Sequence, residues 1–477
     1  MVKKFAALLA VFLFISAAAF AQSKKNVIFL IADGTGPTNM SLLMQYARYA
    51  PNGPYKGKLS NLETVLNDGS FGIVFNTPVE TLATDSAASG TQLSIGVTTT
   101  PGAVGVGPDG TPAETLLEKA QKLGMSTGLI TDVFVIDATP VVFAAHQKSR
   151  RSYDELSKEF VTTRPDVVLG GGLDYFISDT FVKDPKYSKF IKQISYASAL
   201  SPKLANNEVF DKIVESGYTV ALNKKDMLAA KGDRLFGLFA PVYLPFNIDA
   251  DGSEPTLKEM TQKALDILSK NDKGFFLMVE SGAADWVAHN NDQGGVLKEL
   301  LEMDETLGLI KDFIAKNPNT LLIVTADHDT GGFNFNYRKV KGQEYEEKSA
   351  AGYPLYDKTD YAAKGNLDII AAQNKSTDKI KKEYEALSKK GLTPKETQKF
   401  IKETMAYTLP IEYFEKEKDI DNILKEINTR LGIVWGTGNH TASPVLITFY
   451  GANQGIKGGV MHSTEVNKRI ADFLYGK

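Results

Sequence analysis

Apolar residues gather into short, almost unbroken runs along the chain: NVIFLIA (26–32), STGLIT (126–131), DVVLGGG (166–172), FFLMVES (275–281), TLLIVTA (320–326) and SPVLITFYG (443–451). Continuous apolar runs of this length mark strands buried on both faces, as parallel strands are. Segments of helical period lie between them, such as ETLLEKAQKLG (114–124) and TLKEMTQKALDILSK (256–270). Strand alternating with helix predicts an α/β fold: a three-layer sandwich with a central, mostly parallel sheet flanked by helices.

Two stretches break the alternation. Residues 339–430 are rich in Lys and Glu and lack a buried-strand run. Thr393 as N-cap, Pro394 at the first helical position and Glu396 closing a capping box predict a helix start there. Ile380, Tyr384 and Leu387 form one apolar helix face, and Gly391 suits the end of that helix. The segment reads as a helical insertion, mostly solvated, with a lid or a dimer contact as the alternative. A second insertion covers about 176–217. At the N-terminus, MVKKFAALLAVFLFISAAAFAQS has a positive start, a short apolar run and an A-x-A site ending at Ala21. That is a signal peptide over 1–21, and it leaves one elaborated catalytic unit over 22–477.

With 477 residues, 43% hydrophobic and 23% charged, the chain can bury a large core. A net charge of −3 carries no basic excess and argues against nucleic acid as a partner. No later segment is long and apolar enough to span a membrane. Export of the bacterial type predicts a periplasmic or secreted protein. The chain has no cysteine, so any metal must sit on imidazole, carboxylate and hydroxyl ligands.

Polar residues collect just after the strand runs, the edge that carries binding sites in α/β sheets. Asp33 follows the first run. Glu280 ends the fourth, with Asp285 and His289 next. Asp327 and His328 follow the fifth, and His440 precedes the last. Asp285 and His289 are four apart and would share a helix face. Imidazole with carboxylate and no thiolate suits zinc in an open site. Of the five histidines, His146 reads as a satisfied buried residue and His462 as a surface residue. Asp137 and Thr139 offer oxygen ligands for a hard ion such as magnesium. Arg150, in HQKSRRS, offers a fork for two phosphoryl oxygens, whereas Arg151 reads as solvated. In TLATDSAASGT (81–91), Asp85 or Ser86 caps a helix, or Ser86 is a nucleophile held at that helix's N-terminus.

TDSAASGT, DATPVVFAAHQKSR, VESGAADWVAH, TADHDTGG and GNHTASPV, in that order and preceded by DGTG at 33–36, resemble the alkaline phosphatase family. The match runs from residue 26 to about 450. The resemblance implies two zinc ions and one magnesium ion. Asp285, His289 and His440 would match the ligands of one zinc, and Asp33, Asp327 and His328 those of the second. Asp33, Thr139 and Glu280 would match the magnesium ligands, Ser86 the nucleophile that becomes phosphoserine, and Arg150 the phosphate clamp. Asp137 would act through water. Phosphate monoesters of broad range, inorganic phosphate and a homodimer are the implied partners. Trp286 departs from the family, where relatives carry Lys or His close to the phosphate and the third metal.

The competing readings are a phosphodiesterase or sulfatase of the same superfamily, a non-catalytic zinc- or phosphate-binding protein, and a serine hydrolase of acyl substrates. Arg150 favours dianionic monoesters over diesters. All the candidate residues are present, against a degenerate binding protein. TDSAA is not the G-x-S-x-G elbow of an acyl hydrolase.

Overall fold

The structure, a computed structural model, describes residues 24–339, 359–453 and 455–476. The expected signal peptide and residues 340–358 of the expected insertion lie outside them. Within the described residues, ten strands form one sheet: β1 (Lys25–Ala32), β2 (Ser70–Phe75), β3 (Ser126–Phe134), β4 (Val167–Gly171), β5 (Thr219–Ala221), β6 (Leu235–Leu238), β7 (Gly274–Ser281), β8 (Thr320–Thr325), β9 (Val445–Gly451) and β10 (Gly459–His462). Their order is β10-β2-β9-β8-β1-β7-β3-β4-β6-β5. β1, β7 and β8 are buried along almost their whole length, as continuous apolar runs require. The expected helices form at Leu116–Lys122 and Leu257–Leu268, each opened by a Thr–Glu capping box. Phe29 of β1 packs edge-on against Phe143, 6.0 Å between ring centroids, in the layer that covers the sheet.

Register decides where the chemistry falls. Ile31 pairs with Glu280 and with Thr325, and Thr131 pairs with Glu280. The residues just past these positions therefore emerge side by side at one edge of the sheet. One strand departs from expectation. The 443–451 run is not parallel: β9 lies antiparallel to both β8 and β2. The chain passes His440 at the same edge where β1, β7 and β8 finish, so the strand that follows must run away from that edge.

The insertion forms helices at Asn366–Ala372, Thr377–Ser388, Pro394–Met405, Ile411–Lys416 and Ile420–Arg430. The predicted Thr393–Glu396 capping box is present. The segment is less solvated than expected. Ile380, Ile401, Phe414, Ile423 and Ile427 are fully buried and give it a core of its own. It also docks on the body through acids: Asp249 accepts from Ser376 N, Asp368 accepts from Asn52 N, and Asp292 joins both parts. Asp292 caps the helix Gln293–Lys316 by accepting from Gly295 N. The same carboxylate accepts from Gln373 Nε2 and Thr377 N, both at 2.7 Å.

Candidate active site

Ser86 opens helix α1 (Ser86–Ile95). Asp85 is its N-cap, accepting from Ala88 N at 3.1 Å and also from Gly102 N at 3.0 Å. The cap fixes the first turn, so the Ser86 hydroxyl sits where the unpaired amides of a helix N-terminus point. Ser86 is 4% exposed, and its Oγ lies 3.2 Å from His328 Nε2.

His328 Nε2 is also 3.2 Å from Asp327 Oδ2 and 3.5 Å from Asp33 Oδ1. Ligand atoms of Asp33, Asp327 and His328 lie within 4.8 Å of one another, and so do those of Asp285, His328 and His440. His289, on helix α2 (Ala283–His289), places Nε2 3.3 Å from Asp285 Oδ2 and 3.1 Å from His440 Nε2. The expected triplet of Asp285, His289 and His440 is therefore in contact, with His328 packed onto it: the His328 and His440 rings stack at 3.6 Å. Thr139 Oγ1 donates to Asp33 Oδ2 at 3.3 Å. Glu280 is close enough for its charge to act on Asp33. Close approach needs a small backbone at Gly34: it holds φ +64, and a Cβ there would come within 2.4 Å of Asp285 Oδ1.

The chemistry of the donors asks for cations. His289 Nδ1 faces Gly438 O at 2.7 Å and His440 Nδ1 faces Thr84 O at 2.9 Å. A carbonyl only accepts, so each Nδ1 carries a proton, and in the neutral rings both Nε2 atoms present lone pairs to each other. Among the described residues, Asp33 Oδ1, Asp327 Oδ2 and both Glu280 oxygens are buried without a hydrogen-bond partner. Burial, then the charges of Asp327, Asp285 and Glu280, push Asp33 well above the usual carboxylate range. Burial and then Asp137 do the same to Glu280. Burial also works against ionisation of Asp285, but the His289 hydrogen bond and the neighbouring imidazoles hold it below the usual range. His289 is pushed up to about 9, first by its bond to Asp285. Buried like charges of this kind are stable when a cation neutralises them. The residues fit divalent metal ions.

Arg150 stands across the cleft. Its Nη2 donates to Asp137 Oδ1 at 2.8 Å and its Nη1 to Asp85 Oδ2 at 3.3 Å. These two acids orient the guanidinium and, against the cost of burial, raise its affinity for the proton. Asp137 is thus an arginine partner and a cap, accepting from Ala138 N at 2.7 Å. Asp33, Ser86, Arg150, Asp285, His289 and His440 all border one cleft of about 470 Å³.

His146 is satisfied as expected, by Gly105 O and Glu118 Oε1, and is partly buried. His462 is not a plain surface residue. It caps the last helix, Ser463–Tyr475, and its Nε2 meets Thr77 O at 3.0 Å.

Thr330 and Asp132 escaped the sequence reading. Thr330 Oγ1 donates to Asp285 Oδ1 at 2.5 Å and meets His328 Nδ1 at 3.2 Å, so it orients both. Its place in TADHDTGG, two residues after His328, was the available signal. Asp132 accepts from Gly282 N and Ala283 N, at 2.7 and 2.9 Å, and fixes the start of α2. Burial pushes its carboxyl up to about 7. A raised folded-state value means that the stability Asp132 contributes is present at low pH and is lost as pH rises through 7. Asp132→Asn keeps the accepting oxygen and removes the charge. The variant is expected to be more stable than the parent at pH 8, on the order of 1 kcal/mol, with the gap closing toward pH 4. Thermal denaturation across that range checks it; identical pH dependence in the two proteins would refute it.

A family model described as "Alkaline phosphatase" matches residues 24–475. Alkaline phosphatase 3 of Bacillus subtilis is 32% identical over 461 residues, 94% of this chain and 88% of the relative. Alkaline phosphatase of Escherichia coli is 32% identical over 345 residues, 64% of this chain and 70% of the relative. Among solved structures, a cold-active alkaline phosphatase from a psychrophilic Shewanella superposes with a TM-score of 0.73 at 25% identity, covering 94% of this chain and 99% of its own. The Thermus thermophilus enzyme shares the fold with a TM-score of 0.75 at 24% identity, covering 96% and 92%.

Proposed function

The chain belongs to the alkaline phosphatase family of phosphoric monoester hydrolases, and we propose that it works through a phosphoserine intermediate on Ser86. One observation carries the reading: a serine hydroxyl at a capped helix N-terminus touches His328 inside a cluster of unneutralised acids, across one cleft from an oriented arginine.

Zinc held by Asp285, His289 and His440, zinc held by Asp33, Asp327 and His328, and magnesium held by Asp33, Thr139 and Glu280 would supply charge neutralisation and Lewis acidity. The chain's own residues do the positioning. Arg150 holds two non-bridging phosphoryl oxygens with the N–H groups that Asp85 and Asp137 leave free. The amides of the first turn of α1 face the anion. Ser86 Oγ gives up its proton to solvent and attacks phosphorus in line. The Oγ–P bond forms, the ester P–O bond breaks, and the leaving oxygen takes a proton from solvent. Water then cleaves the Oγ–P bond, releasing inorganic phosphate and restoring the hydroxyl. No carboxylate–histidine–serine relay is needed, because the chemistry is mostly positioning and charge compensation.

Among the described residues no helix is long and apolar enough to cross a membrane. The N-terminal signal pattern and the bacterial relatives support export to the periplasm or the medium. A homodimer is the assembly the family resemblance favours.

Arg150→Ala tests the phosphate clamp. Losing two charge-assisted hydrogen bonds is expected to weaken inhibition by inorganic phosphate about 10- to 100-fold and to lower kcat/KM on a chromogenic phosphate monoester. Metal content should stay that of the parent. Unchanged phosphate inhibition in the variant would remove Arg150 from the clamp.

A further inference from the structure

The cleft has two chemically distinct halves. Its floor is polar: the acids, the histidines, Ser86 and Arg150. Its apolar lining is Phe134, Tyr153, Tyr175, Val242 and Trp286. Inorganic phosphate and a short alkyl ester need only the floor. The aromatic lining has no task in the reaction described above.

The lining is built and held. On one side, Phe134 and Tyr175 stack nearly parallel, 5.0 Å between centroids, and Tyr153 packs on Tyr175 at 4.9 Å. On the other, Trp286 packs on Tyr243 at 4.7 Å, and Tyr243 stacks on Phe246 at 5.7 Å. The loop carrying Val242 and Tyr243 is pinned from beneath. Gly172 N and Leu173 N both donate to Ala240 O, Asp174 N donates to Pro241 O, and Leu244 N donates to Asp132 O. A Cβ at Gly171 would lie 2.2 Å from Val242 O, so the loop sits directly against β4. Tyr175 is only 8% exposed. Trp286 is half-buried and Tyr243 is 38% exposed, so these rings are not closed into the core.

We propose that this apolar half is a subsite for a planar aromatic leaving group, the ring of an aryl ester or the base of a nucleoside monophosphate. Aromatic rings that are already stacked and pinned offer a π-face at little ordering cost. A flat ring gains from them in a way that a glycerol or an unsubstituted sugar does not. The subsite rests on the phosphate-monoester reading of the floor, and the test separates the two.

Adenosine 5′-monophosphate and ribose 5-phosphate share the same alkyl phosphate and differ by the base. The protein with its metals restored is expected to show a kcat/KM ratio of about ten in favour of the nucleotide. Tyr175→Leu and Trp286→Leu should each bring that ratio toward one. A folding defect lowers both rates together and leaves the ratio intact. Inhibition by phenylmethylphosphonate against cyclohexylmethylphosphonate asks the same of an aryl ring close to phosphorus. A preference in that pair alone names aryl esters as the source, and a preference in the nucleotide pair names nucleotides. Ratios near one in both pairs would overturn the subsite. If neither ester turns over but calorimetry shows the nucleotide binding about tenfold more tightly than ribose 5-phosphate, the subsite stands and the hydrolase reading falls.

Discussion

Replacing Ser86 with alanine is expected to cut phosphate monoester turnover about a thousandfold, with metal content and thermal stability close to those of the parent. The hydroxyl is the first side chain of α1, and the cap that starts the helix belongs to Asp85, not to Ser86. Alanine is a good helix former, so the turn keeps its geometry. What disappears is the oxygen 3.2 Å from His328 Nε2. Arg150 still holds the phosphoryl group, so direct attack by water keeps a residue of activity. Acid quenching during turnover should trap phosphate on Ser86 in the parent and none in the variant. Parental turnover in Ser86→Ala, or label on another residue, would take the nucleophile's role from Ser86.

Stripping metal with a chelator is expected to abolish turnover, and zinc followed by magnesium should restore it. A second readout is stability. Without cations, Glu280, Asp33 and Asp327 keep buried oxygens that find no hydrogen-bond partner among the described residues. Ions bound a hundredfold above their dissociation constants would add about 2.7 kcal/mol each to the folded state. The thermal transition should therefore fall on chelation and recover with zinc before activity is fully regained. Chelator-insensitive hydrolysis, or a transition that ignores zinc, would contradict the assignment of these acids as ligands.

Much of the central sheet could be read from sequence, because a strand buried on both faces must be apolar at every position. β1, β3, β4, β7 and β8 all betrayed themselves in this way. β5 and β6 span three and four residues, too short to show a period. The direction of β9 is a matter of how the chain arrives, not of what the strand contains. The polar floor was legible for a related reason: carboxylates and imidazoles directly after apolar runs have few structural uses. Its supports were less so. The carbonyls of Thr84 and Gly438, which fix the tautomers of His440 and His289, have no sequence signature at all. The aromatic lining was hidden differently. Phe134, Tyr153 and Tyr175 are far apart in sequence and each alone reads as an ordinary core residue, while Trp286 stood out only as a departure from the family motif.

Asp292 bears on any attempt to make a smaller version of this protein. The helical segment around 366–430 looks detachable, since it has its own packed interior. Yet Gln373 and Thr377 hold a carboxylate that also caps a 24-residue helix, three positions after His289. A shortened loop would leave that carboxylate two donors short and loosen the turn that aims an imidazole into the cleft. Modularity therefore runs one way here: the segment's interior can be redesigned freely, but its junction has to be carried along with the body.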